Sequence, residues 1–142
     1  MTFTVQVTVD CIDPHALADW WAETLGWQVE AQDEAFIRRM VAEGHATEAE
    51  TLVHNGRLVW RPGAAIVAAD PAAQQVRILF QAVPEPKVGK NRLHLDVRTG
   101  DTDVAQVRQS LVDRGATVLH EGRQGPLTWV TMADPEGNEF CV

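Results

Sequence analysis

Tyrosine is absent from the 142 residues, cysteine occurs twice, and 12 basic residues face 20 acidic ones for a net charge of -8. Each shortage excludes something. Two cysteines, Cys11 and Cys141, are too few for a disulfide scaffold, so both are read as reduced and a cytoplasmic location is expected. An acidic chain with no basic stripe cannot displace counterions from a phosphate backbone, so no nucleic-acid partner is expected. The same balance disfavours an anionic membrane surface. No apolar run approaches the roughly 20 residues that cross a bilayer. Met1-Thr2-Phe3-Thr4 carries no basic n-region, so no signal peptide is expected. Gly-rich phosphate loops, serine nucleophile elbows and CxxC pairs are all missing, and their chemistries have no support.

What is present is an alternation that occurs twice. In Asn91–Val97, Leu93, Leu95 and Val97 share one face, and Arg92, His94 and Asp96 the other. In Thr4–Asp10, Val5, Val7 and Val9 oppose Gln6, Thr8 and Asp10. Period-two patterning predicts strands with one face on a core. After the first strand, Asp13 offers an N-cap, Pro14 suits the first helical turn, and Leu17, Trp21 and Leu25 form a stripe that Gly26 ends. After the second, Asp101-Thr102-Asp103 caps a helix with Val104, Val107, Leu111 and Val112 inward, ended by Gly115. Gln6 to Gly26 spans 20 residues and His94 to Gly115 spans 21, so the two strand–helix–glycine units match within one residue.

Further strands are predicted at Trp27–Glu30, Thr51–His54, Arg57–Trp60, Ala64–Ala69, Val76–Val83, Thr117–His120, Leu127–Met132 and Asn138–Val142. Asn55-Gly56 is a hairpin turn, since both residues accept positive φ. Asp70-Pro71 and Asp134-Pro135-Glu136-Gly137 are the other turns. Residues 33–44 read as a helix capped by Asp33, and Thr47-Glu48-Ala49-Glu50 has capping-box spacing. The expected organisation is one domain over 1–142. It comprises a first βαβββ unit at 1–83 with an insertion at about 33–50, a stiff proline-bearing linker at 84–90, and a second unit at 91–142. The fold class is α+β, two tandem βαβββ units forming curved mixed sheets around one cavity, because neither unit alone buries its sheet.

This duplicated plan, with Asp10-Cys11-Ile12-Asp13-Pro14, Lys90-Asn91-Arg92-Leu93-His94-Leu95-Asp96 and Asp134-Pro135-Glu136-Gly137-Asn138-Glu139-Phe140-Cys141, resembles the vicinal oxygen chelate superfamily. That superfamily includes glyoxalase I, extradiol dioxygenases and bleomycin-resistance proteins. Within it the motifs are similar to glyoxalase-like domains of actinobacterial type. The resemblance implies metal ligands on the first and last strands of each half. Gln6 and His94 match the first-strand positions. Cys141 stands where the second half has a glutamate, and in Val76–Val83 only Phe80 or Gln81 can be matched. The implied divalent-metal site therefore lacks two carboxylates, and no tightly bound metal is expected. A thiol in the set would favour zinc, and Glu139 could restore a carboxylate.

The expected cavity wall is Gln6, Thr8, His94, Asp96, Cys141 and Trp129, with His94 the catalytic candidate. Gln6 and His94, equivalent positions of the repeat, are expected to approach one another. Against that stand blander readings: His94 as a hydrogen-bonded wall residue, Cys141 as a small buried hydrophobe, and the five tryptophans mostly as core. His15, His45, His54 and His120 lie near element ends and are read as surface. Three functions stay open: a glyoxalase-like lyase, isomerase or dioxygenase, a module that sequesters a small molecule, and an accessory domain. The expected partner is a small-molecule ligand, with a homodimer as an open alternative.

Overall fold

The structure, a computed structural model, describes residues 1–70 and 76–142, so Pro71 of the expected Asp70-Pro71 turn lies outside the described residues. The chain divides into two compact units, Met1–Glu85 and Pro86–Val142.

The first unit runs β1 (Val7–Cys11), α1 (Pro14–Leu25), β2 (Gln28–Val29), α2 (Glu34–Ala42), β3 (Thr51–His54), β4 (Arg57–Trp60), β5 (Gly63–Val67) and β6 (Arg77–Ala82). Its four-stranded sheet has the order β1-β6-β5-β2, with β1 parallel to β6 and the other pairs antiparallel. The second unit runs β7 (Leu95–Asp96), α3 (Val104–Asp113), β8 (Thr117–Gln124), β9 (Leu127–Ala133) and β10 (Glu139–Cys141). Its order is β7-β10-β9-β8, again with the first strand parallel to the last. Both sheets thus place first, last, penultimate and second strands side by side, and the repeat holds in three dimensions.

Local chemistry explains the helices. The Asp13 side chain accepts from the Ala16 N–H at 3.1 Å, and the Asp33 side chain from the Phe36 N–H at 3.0 Å. Asp103 does the same for Ala105 at 2.9 Å. Each satisfies a donor that the first helical turn leaves orphaned. The cores follow the strand repeat. Phe80 on β6 faces Val9 in the ladder and is buried, and Phe140 on β10 faces Leu95 and is buried. Ile66 and Ile78 complete the first sheet's inner face, against which α1 packs with Leu17 and Trp21. Leu111 and Met132 are buried with Phe140 in the second unit.

The insertion is larger than expected. β3 and β4 form their own two-stranded sheet outside the four-stranded one, so the added segment extends beyond residue 50 through the hairpin. Its turn is as expected, with Asn55 at φ 49° and Gly56 at φ 77°. The capping box at Thr47 and Glu50 is formed, and it starts a short 3-10 turn, Glu48–Glu50, ahead of β3.

Three expectations are corrected. β1 starts at Val7 and not Thr4, and Val5 is exposed. β7 is two residues long, and Leu93 is 89% exposed instead of core-facing. A bend at Arg92–Leu93 interrupts the ladder, and without ladder pairing the period-two alternation no longer dictates a face. His15 is not on the surface. It is 3% exposed, its Nε2 donates to the Trp60 carbonyl at 2.8 Å, and its ring lies 5.1 Å from that of His54. His54 in turn bonds Asp19 Oδ2 at 2.7 Å. Proximity to a helix start said nothing about the hairpin that packs over it.

Phe140→Ala is expected to cost about 3–5 kcal/mol, the transfer term plus the cavity left in a sheet that cannot collapse onto it. Chemical denaturation of the variant should show a midpoint lowered accordingly, with Phe80→Ala behaving alike.

Candidate functional site

The second unit's site is assembled by its turn. Asp134 is buried, and its Oδ1 accepts from the backbone N–H groups of Glu136 and Asn138, both at 2.9 Å. The Asn138 amide also donates to both Asp134 oxygens, at 3.2 and 3.1 Å. Held in this way, Asn138 Oδ1 accepts from Asn91 Nδ2 at 3.0 Å. The next residue, Glu139, accepts the Asn91 N–H at 3.1 Å and the Lys87 ammonium at 3.0 Å. The two motifs that look most alike across the resemblance therefore bond each other, and these bonds hold the segment before β7 against β10.

That docking brings the chemistry together. In the parallel pairing Cys141 faces Asp96. His94, two residues before Asp96, has its Nε2 3.3 Å from Asp96 Oδ1. Ligand atoms of His94, Asp96 and Cys141 all lie within 4.8 Å of one another. Across the next pair Cys141 faces Thr131, whose hydroxyl lies 3.6 Å from Sγ. Trp129, two residues earlier on β9, shares this face and is half-buried. Its indole lies over Gly122 of β8, where any Cβ would collide with the ring.

His120 joins the same row through a bulge. The β8–β9 register steps from Val118↔Met132 to His120↔Thr131, leaving Leu119 as the extra residue. Without it Val118 and His120 would share a face. With it His120 turns to the Thr131 and Cys141 side. Thr131 and His120 are the residues that sequence reasoning missed here, since nothing in the local pattern announces the bulge.

Glu139 is not free for this site. Burial works against its ionisation, but the Asn91 and Glu139 backbone N–H groups and the Lys87 ammonium outweigh that and hold the carboxyl below its ordinary range. Its side chain is 12% exposed and already satisfied.

In the first unit Gln6 lies just before β1, and its amide oxygen accepts from Arg77 Nη1 at 2.5 Å. Its Nε2 donates to Thr8 Oγ1 at 3.4 Å. Arg77 also grips Glu30 with two bonds, at 2.7 and 3.0 Å. This pairing lowers the Glu30 carboxyl and raises the Arg77 guanidinium. On β6, Phe80 belongs to the core, and Gln81 lies beside Asp10 in the ladder.

The glyoxalase-like domain profile matches residues 6–142. The chain belongs to the glyoxalase-like domain family. No curated protein matches it in sequence. Solved structures share the fold of this glyoxalase-like chain. A fosfomycin resistance protein, FosX, from Listeria monocytogenes is 9% identical, with 99% of this chain and 91% of that one covered at a TM-score of 0.61. A glyoxalase/bleomycin resistance protein/dioxygenase family enzyme from Burkholderia phytofirmans is 17% identical over 96% and 93%, at 0.58. The bleomycin-binding protein of Streptomyces verticillus, complexed with copper(II)-bleomycin, is 13% identical over 99% and 94%, at 0.52. Among the described residues no helix is long and apolar enough to cross a membrane.

The depressed Glu139 carboxyl links stability to pH. Its folded-state value lies below the unfolded one, so its contribution is complete above the ordinary glutamate range and is lost as pH falls through the folded value. Glu139→Gln should therefore destabilise the protein at neutral pH, and by less at an acidic pH below the ordinary glutamate range. Urea midpoints at the two pH values check this, and an equal difference at both would contradict it.

Proposed function

We propose that the chain is a small-molecule-binding protein whose ligand sits on the polar face of the second unit. His94, Asp96 and Cys141 supply the polar contacts and Trp129 an apolar wall. The observation that carries this reading is the convergence of those three side chains beside a half-buried indole. Polar groups meeting at one point next to aromatic surface are how small-molecule sites fix orientation while burying apolar area. Support comes also from the family, in which one fold relative is a fosfomycin resistance protein and another binds bleomycin.

Titration with fosfomycin and with copper(II)-bleomycin, followed by tryptophan fluorescence, tests it. One of them should give a saturable change that Trp129→Phe removes. Its affinity should fall in His94→Gln, which removes the imidazole from the three converging side chains. Unchanged affinity in that variant would make His94 a bystander and sink the reading.

A metal-dependent enzyme of the lyase, isomerase or dioxygenase type is the second reading, and the donor set is what favours it. The family's four-ligand arrangement does not fit this chain. The Gln6 oxygen already carries a guanidinium, whose charge opposes a divalent ion, and β6 offers no carboxylate or imidazole. His94, Asp96 and Cys141 fit better. Zinc bonds of about 2.0–2.1 Å at a tetrahedral angle separate two donors by about 3.4 Å, close to the 3.3 Å between His94 and Asp96. These three residues would hold a zinc-like ion, and such an ion supplies Lewis-acid polarisation of a bound oxygen. Protein purified without an affinity tag is expected to hold substoichiometric divalent metal by elemental analysis. Stoichiometric zinc that survives Gln6→Ala and disappears in Cys141→Ser would establish the enzyme reading's metal centre instead.

A further inference from the structure

We propose that the second-unit site takes a small aromatic aldehyde covalently, with the Cys141 thiol adding to the carbonyl carbon to form a reversible thiohemiacetal. This chemistry rests on the reading of that face as a small-molecule site and adds the class of ligand. Four strands set one row of side chains on the face. His120 of β8 pairs with Thr131 of β9, Thr131 with Cys141 of β10, and Cys141 with Asp96 of β7. Cys141 stands inside that row and is half-buried, whereas Cys11, the other thiol, is 4% exposed in the first unit.

Each neighbour of the thiol has a part in such an addition. A nucleophile needs a base within reach, and the base needs a third group to orient it. A ring nitrogen of His94 lies within 4.8 Å of Sγ, a gap that one water closes. His94 Nε2 lies 3.3 Å from Asp96 Oδ1, so the carboxylate holds the ring beside the thiol. On the other side, the hydroxyl of buried Thr131 lies 3.6 Å from Sγ. The oxygen of an adduct is two bonds from the sulfur, which brings it within hydrogen-bond reach of that hydroxyl. Trp129, two residues before Thr131 on the same face, offers an aromatic ring a surface to stack on.

The step balances with nothing added. A sulfur lone pair forms the S–C bond, and the carbonyl π pair moves to oxygen. The thiol proton passes to His94 and from there to that oxygen. No leaving group departs, and no oxidant or reductant is consumed. The position of the hydroxyl selects aldehydes over other electrophiles. A conjugate acceptor develops its charge on an oxygen four bonds from sulfur, away from Thr131. A ketone brings a second carbon substituent against a thiol that is already half-buried.

Benzaldehyde labelled with carbon-13 at its carbonyl is titrated into the full chain and followed by carbon NMR. Benzyl alcohol, of similar shape and unable to add, reports non-covalent binding through the fluorescence change that Trp129→Phe removes. A tetrahedral carbon signal should grow saturably, at least about tenfold tighter than the adduct with free N-acetylcysteine. It should vanish in Cys141→Ala, which keeps Cys11. Thr131→Val, close to isosteric, should weaken the adduct about three- to tenfold and leave benzyl alcohol binding unchanged. His94→Gln should slow adduct formation at least about tenfold, and by more than it weakens the adduct, because a base acts on the rate in both directions. A Trp129 response to benzyl alcohol without a tetrahedral carbon from benzaldehyde overturns the proposal and leaves the binding site standing. No response to either probe overturns it too, and the fosfomycin and bleomycin titrations then decide on the site by themselves. A tetrahedral signal that survives Cys141→Ala, or a wild-type rate in His94→Gln, also overturns it.

Discussion

The second unit depends on one buried carboxylate. Asp134 collects two backbone N–H groups and the Asn138 amide, and so fixes the geometry of the turn before β10. Everything downstream inherits that geometry. Asn138 reaches Asn91, Glu139 reaches the Asn91 N–H and Lys87, and β7 is held parallel to β10 although its ladder is two residues long. A ladder that short contributes little pairing by itself. The side-chain bonds replace the missing backbone ones, and the register they hold sets Asp96 beside Cys141.

The same economy governs the residues whose types suggest metal ligands. Gln6 and Glu139 have the right chemistry for ligands, yet both are committed to cations of the protein itself, Arg77 and Lys87. A side chain whose lone pairs are taken by a neighbouring positive group is a structural element, whatever its identity suggests. His94, Asp96 and Cys141 escape that fate. Their neighbours are one another and the Thr131 hydroxyl.

The first unit shows what an insertion adds to a repeated plan. Without residues between β2 and β5 it would be a plain βαβββ unit with one exposed sheet face. The added helix, turn and hairpin bury His15 against Trp60 and join His54 to Asp19. They also line a concave surface along a sheet face that otherwise carries Gly63, Ala65 and Leu79.

The sequence by itself determined the repeat, the helix caps, the Asn55-Gly56 turn and the family, because each is written in residues close together along the chain. Period-two alternation placed Val7 and Val9 on the inner face, and cap chemistry placed Asp13, Asp33 and Asp103. Other features were decided only by the tertiary structure. The burial of His15 depends on a hairpin more than thirty residues away. The exposure of Leu93 depends on a bend that breaks the ladder, and the turning of His120 depends on a bulge opposite β9. The commitment of Gln6 to Arg77 crosses seventy residues of chain. Local pattern fixes which face a residue takes while a ladder runs. It carries no information on where the ladder stops or which distant charge arrives first.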